Sequence, residues 1–156
     1  MNTNSSAKVH PLVTANTFWV MGDQVRKRGK LEGTAFNVID VIIPPGSCTP
    51  PHTHASPEIF RILEGTVRIW SMIGGKPVET DAVAGDVVTI PAHAPHAYQN
   101  ISPVQAVMMS IVDDDMIAFF EAAASHEAPK GPPTPEAIGR IMRLTATHGI
   151  NILQAA

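Results

Sequence analysis

Between Gly46 and Gly65 the chain reads GSCTPPHTHASPEIFRILEG. His52 and His54 stand two residues apart, so on an extended strand both imidazoles point to the same face. Glu58 follows across Ala-Ser-Pro, where Pro57 bends the chain before a second strand, EIFRIL. Two neutral imidazoles and a carboxylate directed at one point form a ligand set for a first-row divalent metal. A fourth candidate ligand, His96, lies downstream in GDVVTIPAHAPHAYQN. The set carries one negative charge and is borderline in softness, so Fe, Mn, Ni, Co, Cu and Zn all suit it. An octahedral ion held by His52, His54, Glu58 and His96 keeps two positions open, which suits catalysis.

Outward from this stretch the chain is a succession of short strands. FWVMG (18–22) is expected to form the first, QVRKRGKLEG (24–33) a charged loop, and TAFNVIDVII (34–43) a strand stopped by Pro44-Pro45-Gly46. Gly65 turns the chain into TVRIWSMI, Gly74-Gly75 into KPVETDAV, and Ala84-Gly85 into DVVTI; HAYQNI and QAVMMSIV complete the strands. Close-spaced strands with turn residues between them predict an all-β antiparallel sandwich or barrel over residues 18–112. After Val112 the pattern changes. Asp113–Asp115 open a short apolar helix, MIAFFEAAAS, and a proline-rich link leads to a second helix. Thr134 is its expected cap, Pro135 its first residue and Gly149 its stop. Ile138, Ile141, Met142 and Thr145 share one stripe of it. This extension, residues 113–156, is expected to pack outside the barrel or against a partner subunit as scaffold. Residues 1–10 are polar and small and are expected to form a mobile tail.

With 156 residues one domain is expected, and a composition 44% apolar and 16% charged marks a packed chain and not a disordered one. The formal charge of −3 offers no basic field, which argues against nucleic acid or an anionic membrane as partner. Cys48 is the only cysteine, so no internal disulfide is possible, and no leader or spanning segment is apparent; a cytoplasmic location is the expectation.

Alternation suggests what surrounds the ion. If Glu58 points inward, Phe60 and Ile62 share its face; if His96 does, Tyr98 and Asn100 share that one. Phe60, Ile62 and Tyr98 are the candidate substrate-pocket residues. His93 is expected to serve a turn needing positive φ, a region histidine tolerates better than most residues. Cys48 reads as a small buried hydrophobe, and His10, His126 and His148 as structural histidines.

The two motifs resemble those of the cupin superfamily, G(x)5HxH(x)3,4E(x)6G and G(x)5PxG(x)2H(x)3N. Gly46, His52, His54, Glu58 and Gly65 match the first. Gly85, Pro91, His96 and Asn100 match the second, with His93 standing where the motif has its middle glycine. The resemblance implies a jelly-roll β-barrel, commonly a homodimer, holding one divalent metal. The run PPHTHASPEIFRILEGTVRIW looks most like single-domain, quercetin-dioxygenase-like cupins. In that group a metal-bound glutamate takes a proton from an enol or flavonol that dioxygen then cleaves, so Glu58 would be both ligand and catalytic base. Two other readings stay open. One is a metal-dependent isomerase, decarboxylase or lyase for a small acid or sugar, which needs a basic anchor; Arg61 and Arg68 are nearest, and alternation turns Arg61 away from Glu58. The other is a small-molecule-binding cupin without turnover. No helix-turn-helix is apparent.

Overall fold

The computed structural model describes residues 6–154. Eleven strands and two helices follow a single 3-10 turn at Leu12–Thr14. The strands are β1 (Asn16–Val20), β2 (Asp23–Lys30), β3 (Asn37–Ile43), β4 (His52–Thr53), β5 (Glu58–Glu64) and β6 (Thr66–Ile73). They continue with β7 (Lys76–Val83), β8 (Val87–Ile90), β9 (His96–Asn100) and β10 (Ala106–Val112), and β11 (Asn151–Ile152) ends the series after α1 (Asp114–Ala123) and α2 (Pro135–Thr147). Two antiparallel sheets face each other, one ordered β1-β2-β3-β10-β5-β8 and the other β11-β4-β9-β6-β7. This is a jelly-roll barrel: the strand rhythm predicts an antiparallel sandwich or barrel, and the cupin resemblance implies its jelly-roll form.

The core follows from alternation. On β10, Ala106, Met108, Ser110 and Val112 are buried, while on β5 Glu58, Phe60 and Ile62 are. Their inward faces meet Phe18, Val25, Ile39, Val41, Ile43, Val67 and Ile69 from the other strands. The outward residue Arg61 is exposed, as the alternation from Glu58 requires. Gly65 makes the tight turn between β5 and β6 with φ of 80°, and a Cβ there would lie 2.9 Å from the Cβ of Ala106. His93 also adopts positive φ, 63°, and its N–H donates to the carbonyl of His54 at 2.7 Å. That bond ties the two motifs together, and it gives His93 the turn role expected of it.

Three expectations are corrected. The stretch 24–33 is mostly strand: β2 pairs with both β1 and β3. One inward apolar residue, Val25, and two ladders of backbone hydrogen bonds suffice to hold a strand whose other face is charged. The sheets also extend beyond residues 18–112, since β1 begins at Asn16 and the C-terminal β11 pairs with β4. Finally, the helices pack on the barrel, one of the two expected alternatives, but they also line its cavity and are more than scaffold. α1, capped by Asp113 accepting from the N–H of Met116, buries Met116, Ile117 and Phe119 on its own barrel and so needs no partner to cover them. α2, capped by Thr134, lays Ile138, Ile141, Met142 and Thr145 over the barrel interior. Of the tail expected over 1–10, residues 1–5 lie outside the described residues; Lys8 pairs with Glu32, and His10 packs beside Gly29.

Candidate metal centre

The three imidazoles come from two neighbouring strands. β4 presents His52 and the chain just beyond it His54, while β9, paired to β4 with His52 opposite His96, brings the third. β5, across in the facing sheet, supplies Glu58. The candidate ligand nitrogens of His52, His54 and His96 lie within 4.8 Å of one another. Oε2 of Glu58 is 3.2 Å from Nε2 of His96 and 3.5 Å from Nε2 of His54. His54, Glu58 and His96 are all buried.

Hydrogen bonds at the far side of each ring set its tautomer. Nδ1 of His52 lies 2.8 Å from the carbonyl of Pro50, that of His54 2.8 Å from the carbonyl of Ser56, and that of His96 2.9 Å from the carbonyl of Ala94. A carbonyl only accepts, so in each ring Nδ1 carries the proton and Nε2 keeps a bare lone pair. The Nε2 atoms of His54 and His96 are buried with no hydrogen-bond partner. Converging lone pairs and a carboxylate repel one another unless a cation lies between them, and backbone-oriented imidazoles are the usual support of a metal ligand. A divalent ion therefore fits these residues. Burial raises the Glu58 carboxyl, and hydrogen bonding and charge from His54 and His96 bring it down to about 2. Burial, then the neighbouring His96, push His52 down to about 4. At neutral pH Glu58 is a carboxylate and His52 a neutral imidazole, the forms that bind metal.

The centre opens into a cavity of about 350 Å³, within the range of small-molecule sites. Phe60 and Tyr98 form part of its wall, edge to face with ring centroids 6.4 Å apart. Ile62, on the same face as Phe60, is fully buried in the core and is not part of that wall. Asn100 is structural: its Nδ2 donates to the carbonyls of Ile43 and Val104, and its Oδ1 accepts from the N–H of Ser102. Cys48 is exposed and lies at the cavity rim. His126 is exposed, and His148 ends α2 against the ring of Phe119. Neither Arg61 nor Arg68 reaches the cavity, and among the described residues its wall holds no lysine or arginine. Arg68 is instead paired with Asp81.

One cavity residue has no signal in the motifs. Asp23, at the start of β2, is buried beside the cavity, accepting from Oγ of Ser47 at 2.6 Å and from the hydroxyl of Tyr98 at 2.6 Å. Burial raises its carboxyl, partly countered by those two hydroxyls. Burial and the Asp23 charge push the Tyr98 phenol well above its ordinary value.

An antiparallel jelly roll with three inward imidazoles and a buried carboxylate at the mouth of an apolar cavity forms a small β-barrel whose three histidines could hold a metal ion. Residues 39–112 match the family model described as Cupin domain. The germin-like protein 5-1 of Oryza sativa subsp. japonica is 28% identical over 127 residues, covering 76% of this chain. The chain spans 58% of the length of that relative. Among solved structures, an RmlC-like cupin from Shewanella frigidimarina superposes with a TM-score of 0.57 at 16% identity, over 69% of this chain and 91% of that one. The polyketide cyclase RemF from Streptomyces resistomycificus gives 0.56 at 18% identity, over 70% and 80%. At such identities the likeness concerns the fold.

Proposed function

We propose that the chain is a metal-dependent dioxygenase for a largely apolar enol, diketone or aromatic ring, with His52, His54, His96 and Glu58 as the ligands. The observation that carries this reading is the pairing of a metal-fitting ligand set with an apolar cavity lacking any basic side chain among the described residues. A small carboxylate or phosphorylated sugar would enter that cavity without a cation to replace its lost hydration. This weighs against the decarboxylase and isomerase reading. An enol or phenol brings only one or two oxygens to be satisfied, and the wall of Phe60, Tyr98, Met108, Phe119 and Ile141 covers the remainder. The cyclase likeness, to a protein described by a polyketide substrate class, is compatible with a ring-shaped ligand.

His52, His54, His96 and Glu58 would hold the ion, which would supply a Lewis acid for an enol or phenol oxygen. The remaining steps belong to the chain. The backbone carbonyls of Pro50, Ser56 and Ala94 hold the three rings in their metal-facing tautomer. Glu58, ionised at neutral pH, would take the proton from the substrate hydroxyl. α1 and α2 roof the cavity with Phe119, Phe120, Ile138 and Met142 and keep bulk water from the reacting ring. The test is oxygen uptake by metal-loaded protein with a panel of enolones and phenols. Uptake that needs both metal and substrate supports the reading; turnover that proceeds equally well under argon removes the dioxygenase assignment.

A further inference from the structure

The cavity has polar groups in a second layer, about 7 Å along the strands from the ligands. Phe60 stands two residues from Glu58 on β5, Tyr98 two residues from His96 on β9, and Ser110 on β10 is the cross-strand partner of Phe60. Asp23 reaches this layer through its bond to the Tyr98 hydroxyl. Asp23 and Ser110 both line the cavity and both are buried, Asp23 to 7% exposure and Ser110 to 1%.

Each is poorly explained by the fold alone. Asp23 is a buried acid with no cation within 4 Å among the described residues, and the two hydroxyls donating to it use only part of its accepting capacity. Ser110 Oγ is buried with no hydrogen-bond partner. Buried polar atoms left short of partners are costly, and where they line a cavity an ordered water or a ligand atom supplies the missing partner. Both residues offer lone pairs, and Asp23 offers a charge-assisted acceptor.

We propose that Asp23 and Ser110 are the specificity determinants of the cavity, binding a hydroxyl or N–H group carried about one ring's width from the oxygen that faces the metal centre. The ligand class is a ring enolone or phenol bearing a second, remote hydrogen-bond donor. This rests on the metal-site reading above and narrows its substrate.

The test is calorimetric binding under argon, so that affinity and not turnover is read. The probes are two pairs of metal-chelating enolones that differ by one remote hydroxyl: kojic acid against allomaltol, and 3,4′-dihydroxyflavone against 3-hydroxyflavone. In metal-loaded wild type at least one hydroxylated member binds about 10- to 100-fold more tightly than its partner. Asp23→Asn lowers that ratio to a few-fold or less. Ser110→Ala weakens the hydroxylated member several-fold while the thermal midpoint without ligand is unchanged or raised, because the variant loses an unpartnered hydroxyl and no protein contact. This second variant keeps the test decisive if Asp23→Asn fails to fold. Ratios near one for both pairs in wild type, or ratios that neither variant changes, overturn the assignment. His52→Ala separates the two claims: loss of both members of a pair supports the metal-site reading, whereas a hydroxyl preference that survives without metal removes the metal from ligand binding and leaves Asp23 and Ser110 as its determinants.

Discussion

Nε2 of His96 lies 3.2 Å from Oε2 of Glu58, while Nδ1 of the same ring faces the carbonyl of Ala94 at 2.9 Å. The proton is thus on the side away from the carboxylate, and the short approach brings together two electron-rich atoms. The same holds for His54 and Glu58 at 3.5 Å. A cation held between these atoms would relieve that repulsion, as in a metal centre.

Glu58 has two roles in the proposed reaction, and Glu58→Gln separates them. The variant keeps the size and an oxygen donor but loses the charge and nearly all the basicity. Three imidazoles retain part of the metal. At matched metal occupancy, single-turnover rates should fall by about two to four orders of magnitude, the usual contribution of a positioned base. An unchanged rate would make Glu58 a ligand only.

Acid should empty the centre and weaken the barrel in the same window. His52 titrates near 4 in the fold against 6.5 as a free side chain, so the unfolded chain binds more protons between these values. Stability is intact above 6.5 and falls as pH drops toward 4. Glu58, at about 2 against 4.5, adds a second loss between 4.5 and 2. Metal-free protein should show a thermal midpoint that declines through both windows, and metal-loaded protein should release its ion as protons compete for the imidazoles. Occupancy that stays flat from about pH 7 to 4 would contradict imidazole ligation.

Gly65→Ala tests the turn that delivers β5 to β6. With φ of 80° and its new Cβ 2.9 Å from Ser102 Oγ and 3.1 Å from the Cα of Ala106, the variant meets both backbone strain and a backbone neighbour. A loss of about 2–4 kcal/mol in chemical denaturation is expected. A cost below about 0.5 kcal/mol would show that the turn relaxes freely.

The chain is expected to pair with a second copy, though not through α1, whose apolar stripe is already buried at home. An apolar patch lies on the outer face of the larger sheet, where Val38, Ile111 and Ile59 are cross-strand neighbours, with Phe36 and Leu31 exposed beside them. Light scattering should give a dimer that Ile59→Lys converts to monomer; a wild-type monomer at micromolar concentration would reject it.

The ligand set could be read from the sequence because strand geometry makes His52 and His54 neighbours and because Pro57 and Gly65 mark where β5 must lie. Arg61 could be placed outside by the same alternation. Asp23 could not be found, since an acid at the head of a charged stretch reads as solvated, and only the closure of β2 against β9 and the residue 47 loop buries it. β2 itself was hidden because its ladder partners, and not its side chains, make it a strand. The stripe on α2 could be seen, but what it covers depends on the chain's return through β11 to β4, a contact with no local signal. The part in cavity lining played by Met116, Phe119 and Phe120 was hidden for the same reason.

The most direct measurement is the metal content of the chain purified without chelator, determined by elemental analysis beside His96→Ala. The account predicts close to one first-row divalent ion per wild-type chain and a large loss in the variant, whose remaining nitrogens come from β4 and the residue beyond it. A wild-type chain that stays metal-free after incubation with each candidate ion, or a His96→Ala chain that remains fully loaded, would contradict it.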